Sequence, residues 1–191
     1  MKIVRMLSPV HSLGPGRRVC LWTQGCSKRC PGCISPEMQS PMGPDMDESL
    51  LARLLCEAAG RGQCSGLTVS GGDPMEQPEA LLKLLELVRP TFEDILVYTG
   101  YTLQQLQQGL CGEAALGCLP LIDVLIDGPY VESRNEPGCV LRGSDNQKIH
   151  YLTPAAQARY TDYLQQGRQL ETFAHGDTVV ITGIQNRRSE L

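Results

Sequence analysis

Residues 67–98 read LTVSGGDPMEQPEALLKLLELVRPTFEDILVY, and their pattern decides the fold. Leu67 to Ser70 is a short apolar run with a β-branched residue, closed by Gly71 and Gly72, as expected of a buried strand. From about Pro78 to Val88 the apolar positions change spacing. Leu81, Leu84, Leu85 and Val88 recur at the period of a helix that buries one face, and proline stands in its first turn, where a missing N–H costs nothing. Asp94 to Tyr98 is then a second apolar run. A strand, a helix and a strand within 32 residues make a βαβ unit, whose two strands lie parallel in one sheet.

The same alternation extends in both directions. Upstream, Arg18 to Thr23 (RVCLWT) reads as a strand, and a helix is expected within Asp47 to Ala59, where Leu50, Leu51, Leu54, Leu55 and Ala58 share a face. Asp45 is a candidate cap for its start and Gly60 for its end. Downstream, Thr102 can cap a helix carrying Leu103, Leu106 and Leu110, and Leu121 to Ile126 reads as a fourth strand ending at Asp127–Gly128. Residues Pro129 to His150 are polar and irregular by pattern. Thr153 and Pro154 start a further helix that Gly167 should stop, and Thr178 to Thr182 reads as a last strand. No stretch looks like a linker, so residues 1–191 are expected to form a single α/β domain. Four or five βα units are too few to close an eight-stranded barrel. The expected form is an open partial (β/α) barrel with a mainly parallel, curved sheet and its site at the C-terminal ends of the strands.

Composition narrows the function classes. A hydrophobic fraction of 41% with 20% charged residues is ordinary for a globular protein, and no run approaches the roughly 18 apolar residues that cross a bilayer. The N-terminal stretch lacks a secretory pattern, so a cytoplasmic location is expected. A formal net charge of −4, with basic residues scattered except for pairs such as Arg17–Arg18 and Arg187–Arg188, argues against a nucleic-acid partner. The three histidines share no spacing, which leaves them without a ligand or catalytic pattern.

Nine cysteines are many for 191 residues, yet an odd number in a chain of this length does not suggest a disulfide scaffold. Three of them cluster. Cys26-Ser-Lys-Arg-Cys30-Pro-Gly-Cys33 follows directly on the first of these strands, in a loop whose Gly25 and Gly32 give the backbone freedom to turn thiolates toward one centre. Three thiolates on a four-iron cluster would leave one iron open for a substrate. The bland alternative is a zinc site completed by a fourth cysteine or histidine, within a non-catalytic interaction module. Zinc sites usually show paired CxxC knuckles, and a second pair is missing. Cys20 and Cys56 sit in apolar periodic segments and read as small core residues, while the roles of Cys64, Cys111, Cys118 and Cys139 are open.

The CxxxCxxC spacing of Cys26, Cys30 and Cys33 after the first of these strands resembles the signature of the radical S-adenosylmethionine enzymes. Ser70-Gly71-Gly72-Asp73-Pro74, after the next strand, resembles that superfamily's GGEP-type motif, with aspartate where glutamate is also common. Further segments are similar to the short activating proteins of glycyl-radical enzymes, the group that includes the activase of anaerobic (class III) ribonucleoside-triphosphate reductase. These are Gln24-Gly25-Cys26, Tyr98-Thr99-Gly100-Tyr101, Asp123 to Tyr130 (DVLIDGPY), Arg142 to Gln147 (RGSDNQ) and Thr182-Gly183-Ile184.

The resemblance implies a [4Fe-4S] cluster on Cys26, Cys30 and Cys33 and S-adenosyl-L-methionine as cofactor. Reductive cleavage to a 5′-deoxyadenosyl radical would then take the Cα hydrogen of a glycine in a partner enzyme, with electrons from a flavodoxin- or ferredoxin-like donor. Ser70, Gly71, Gly72 and Asp73 are the implied contacts to the methionyl amine. Thr99 and Gly100 either touch the ribose or carboxylate or simply turn the chain, and Asp127 either bonds the cofactor or caps the next segment. A short radical enzyme acting on a small molecule or peptide, resembling carboxy-deazaguanine synthase, is the rival within the superfamily.

Overall fold

The computed structural model describes residues 1–185, and the Arg187–Arg188 pair lies outside them. In chain order the strands are β1 (Ile3–Val10), β2 (Arg18–Thr23), β3 (Gly66–Gly71), β4 (Asp94–Tyr98), β5 (Val124–Asp127), β6 (Lys148–Tyr151), β7 (Leu170–His175) and β8 (Thr178–Gly183). The helices are α1 (Glu48–Gly62), α2 (Pro78–Val88), α3 (Leu103–Gln107), α4 (Gly112–Cys118) and α5 (Pro154–Leu164). Six strands form one sheet in the order β1-β2-β3-β4-β5-β6. Strands β2 to β5 run parallel, and β1 and β6 close the two edges antiparallel. The expected α/β class with a mainly parallel central sheet is therefore present.

Alternation along each central strand sends neighbouring side chains to opposite faces. Ile95 and Val97 join Val19, Leu21, Leu67 and Val69 beneath α1 and α2, which contribute Leu51, Leu55, Leu81, Leu84, Leu85 and Val88. Leu96 points the other way, into a second cluster with Val124, Ile126 and the α5 residues Ala156, Tyr160 and Tyr163. A sheet covered on both faces needs unbroken apolar runs, which is why β3 and β4 were legible without alternation of polarity. Among the described residues no helix is long and apolar enough to cross a membrane.

Several local readings are corrected. Asp47, not Asp45, caps α1: its carboxylate accepts from Leu50 N at 3.0 Å. That helix passes Gly60 and stops at Gln63, which adopts a left-handed conformation (φ 49). Thr102 does cap α3 through a reciprocal capping box with Gln105, but the helix ends at Gln107 and Leu110 lies beyond it, exposed. The fourth parallel strand begins only at Val124, because Leu119–Leu121 turns around Pro120. Strand β8 forms as expected but pairs with β7 in a separate hairpin instead of extending the sheet. Strands β1, β6 and β7 and helix α4 were not read from the sequence.

At the N-terminal ends of the parallel strands, Arg18 is fully buried. Its guanidinium donates to Asp94 Oδ2 (2.5 Å), Thr68 Oγ1 (2.6 Å) and the Leu67 carbonyl (2.7 Å), and Tyr160 donates to the same Asp94 oxygen at 2.8 Å. One planar fork thus ties β2 to β3 and β4, and through Tyr160 to α5. The opposite end of the sheet is left for the cysteine loop.

Candidate functional site

Strand β2 ends at Thr23, and the chain turns at Gly25 (φ 100) into the cysteine loop. The returning segment braces this turn: Gly25 N donates to the Met38 carbonyl (2.8 Å) and Cys26 N to the Gln39 carbonyl (3.1 Å). Arg29 (φ 46) and Gly32 (φ 70) both take left-handed conformations, and Cys33 N closes a turn onto the Cys30 carbonyl at 3.2 Å. Such a backbone aims amide groups inward. Burial raises the Cys26 thiol above its ordinary range, and hydrogen bonds from the Lys28 and Arg29 backbone N–H groups act against that rise by favouring negative charge on the sulfur.

The three clustered thiols are half-buried, whereas Cys20, Cys64, Cys118 and Cys139 are buried. Burial pushes Cys20 and Cys118 up to about 12, which keeps them as thiols. Cys20 packs with Val10 and Leu13, and Cys56 lies against the main core with its sulfur 3.2 Å from Thr91 Oγ1. Among the described residues no group of three or more His, Cys, Asp or Glu is gathered as a single metal ion requires.

The turn after β3 is bonded directly to the base of this loop. Gly72 N donates to the Thr23 carbonyl and Asp73 N to the Gly25 carbonyl, both at 2.8 Å. A Cβ on Gly71 would lie 2.3 Å from Thr23 N, and one on Gly72 would lie 2.3 Å from the Gly25 carbonyl oxygen. The two glycines are thus needed for the approach of two backbones, and a valine at Gly71 would disturb that contact before it met any cofactor. Asp73 is buried and fully engaged. Its Oδ1 accepts from Met75 N (3.0 Å) and Thr99 Oγ1 (2.9 Å), and its Oδ2 from Gly100 N (2.8 Å). Burial pushes this carboxyl up to about 6 despite those bonds.

Asp73 therefore brings Thr99 and Gly100, at the end of β4, onto the turn after β3. Glu76 completes the joint by accepting from Ser27 N (3.2 Å), from Ser27 Oγ and from the Tyr101 hydroxyl (3.0 Å). Burial works to raise the Glu76 carboxyl, but the Ser27 and Tyr101 hydrogen bonds bring it below the usual carboxylate range. Lys28 Nζ stands 3.3 Å from the centre of the Tyr101 ring. Sequence reasoning missed Lys28, Glu76 and Tyr101 as a joint. Only the YTGY segment carried a signal, since Tyr101 belongs to it.

A cavity of about 680 Å³ opens beside this joint, where Trp22, Ser70, Gly71 and Tyr98 at the strand ends share walls with Gly32 and Cys33. The Tyr98 hydroxyl is buried there without a hydrogen-bond partner. Gly143 and Gln147 add a further wall. Gln147 Oε1 accepts from Gly143 N (2.8 Å) and its Nε2 donates to the Gly128 carbonyl (2.9 Å), so the Arg142 to Gln147 segment is a folded turn fixed to the end of β5. Asp127 does not line this cavity. Its Oδ2 accepts from Leu103 N, at the start of α3, at 2.6 Å, and its Oδ1 accepts from Lys148 N at 3.3 Å. It borders a smaller cavity of about 360 Å³ with His150.

The chain has known relatives. The 4Fe-4S single cluster domain family matches residues 12–150. Anaerobic ribonucleoside-triphosphate reductase-activating proteins are similar over 73% of this chain: that of Vibrio cholerae serotype O1 is 36% identical over 149 residues, and that of Pasteurella multocida 37% over 147. The Escherichia coli K12 protein is 33% identical over 148 residues. The matches take in 91%, 90% and 91% of those proteins' own lengths.

Proposed function

The chain belongs to the family of anaerobic ribonucleoside-triphosphate reductase-activating proteins, and on that premise we propose that it installs a glycyl radical on a reductase of that kind. The observation that carries the reading is the direct bonding of the Ser70–Asp73 turn to the base of the three-cysteine loop, beside a cavity that Cys33, Ser70 and Gly71 share.

The donor set fits a [4Fe-4S] cluster, because three half-buried thiols lie on one loop and backbone N–H groups face the Cys26 sulfur. When bound, the cluster would supply an open iron and the electron for reductive cleavage of S-adenosylmethionine. The remaining work belongs to the chain. Cys26, Cys30 and Cys33 hold the cluster, and Lys28 and Arg29 place positive charge near it. Ser70 and Gly71 present strand-end polar groups to the cofactor. Gly72 and Asp73 lock the turn against the cysteine loop and set Thr99 and Gly100 beside it, while Asp127 ties the end of β5 to the start of α3. In this reading residues 1–191 act as one domain, the sheet is an open partial barrel, a flavodoxin- or ferredoxin-like protein supplies electrons, and the reaction takes place in the cytoplasm.

The test is an anaerobic incubation of the reduced protein with S-adenosylmethionine and an anaerobic reductase. Electron paramagnetic resonance should show a doublet on the reductase, dependent on all three components. A reductase without signal, while a small molecule or peptide is consumed with release of 5′-deoxyadenosine, would overturn the reading.

A further inference from the structure

The family match ends at residue 150, so α5 and the β7–β8 hairpin lie beyond it. Yet β8 walls the cavity that Cys33 faces: Val180, Ile181 and Thr182 line it. The hairpin is anchored at its open end, where β7 begins and β8 finishes. Near the start of β7, the Glu171 carboxylate accepts from His11 N and Ser12 N, each at 2.7 Å, and the Thr182 and Ser12 hydroxyls meet at 3.0 Å in a buried position. Phe173 and Ile184 pack against the cluster of Val10, Leu13 and Cys20. Arg168, just before β7, joins the same end to the loop before β6, donating to Asn135 Oδ1 (2.8 Å) and to the carbonyls of Cys139 (3.3 Å) and Arg142 (3.3 Å), and to the Gln185 carbonyl just after β8 (3.0 Å).

Two large apolar side chains line this cavity and still remain half-exposed, Ile34 at 50% and Ile181 at 54%. Such residues sit at a rim, where one side faces the cavity and the other faces water. A glycine has no side chain by which it can be held, so a protein that takes its Cα hydrogen must grip the residues flanking it. We propose that Ile34, beside Cys33, and Ile181, on β8, form an apolar rim that grips the segment of the partner carrying the target glycine, with β8 as the side that sets partner specificity. This inference rests on the proposed function. Contacts that ring a central site exclude water from it, so a charge introduced there disturbs the seat of the partner segment.

The test uses the full chain with two substitutions on one strand. Ile181→Glu places a charge on the rim. Val179→Glu places the same charge at 62% exposure, on a residue that does not line the cavity. In glycyl-radical formation, Ile181→Glu should raise KM for the reductase about tenfold, with a much smaller fall in kcat, and Val179→Glu should match the parent chain. Melting curves equal to the parent's would show that both variants fold. A parent-like KM in Ile181→Glu, or equal losses in the two variants, overturns the rim. Absence of any radical on the reductase with the parent chain defeats the proposed function itself, which separates the two failures.

Discussion

Cys30→Ala should lower the iron content of the anaerobically reconstituted protein from about four per chain to near zero and abolish glycyl-radical formation. The effect should be complete because no other thiol can take the place of Cys30. Cys20 and Cys118 are buried and pushed up to about 12, Cys64 and Cys139 are buried, and Cys56 is engaged beside Thr91. Cys111 is half-buried, with its thiol raised by burial and then by the nearby Asp73. Cys26→Ala and Cys33→Ala should behave alike, and Cys56→Ala should keep its iron. Full iron retention in Cys30→Ala would remove this loop from the site.

The second large effect lies at the other end of the sheet. Arg18→Ala should destabilise the fold by about 3–5 kcal/mol, the usual result of removing one partner from a buried, hydrogen-bonded ion pair. The Asp94 carboxylate would stay buried, with the Tyr160 hydroxyl and Arg159, 3.5 Å from its Oδ1, as its remaining polar neighbours. A double change, Arg18→Met with Asp94→Leu, should lose less than the single one, because no charge is then stranded in the core. Denaturant titration of the three variants checks this. A loss below about 1 kcal/mol for Arg18→Ala would show that the pair does not hold the strands together.

These two sites differed in how far the sequence revealed them. The cysteine loop was legible because its ligands lie within eight residues and need only local turns to converge. Arg18 was read only as the start of a strand. Its partner Asp94 is 76 positions away, and no periodicity reports a contact of that kind. The joint behind the cysteine loop was hidden for the same reason, since Ser27, Glu76 and Tyr101 come from three separate turns. Asp73 was seen as a motif residue, but its bonds to Thr99 and Gly100 show how the motif works: the carboxylate holds two strand ends in register.

The fold shows a similar division. The β3–α2–β4 unit was readable almost to the residue, because strands buried on both faces and a helix buried on one leave different spacings. The edge strand β1 is only partly buried along most of its length, and Pro9 interrupts it, so neither signal was present. Strand β6 has four residues and begins with an exposed lysine in a polar stretch. Strand β8 was visible as a strand, but its pairing was not. Which strand it joins depends on β7 and on the anchors at His11 and Ser12, more than 150 residues away in the chain. Helix α4 spans seven residues with glycines at Gly112 and Gly117, too short and too weak in propensity to register.

The hydrogen taken in the reaction should come from a glycine Cα of a reductase. The most direct measurement is label transfer: a reductase deuterated at Cα of its glycines is incubated anaerobically with the reduced protein and S-adenosylmethionine, and the 5′-deoxyadenosine formed is weighed by mass spectrometry. One deuterium per 5′-deoxyadenosine is the predicted result. Unlabelled 5′-deoxyadenosine, formed at the full rate in the presence of the deuterated reductase, would contradict it.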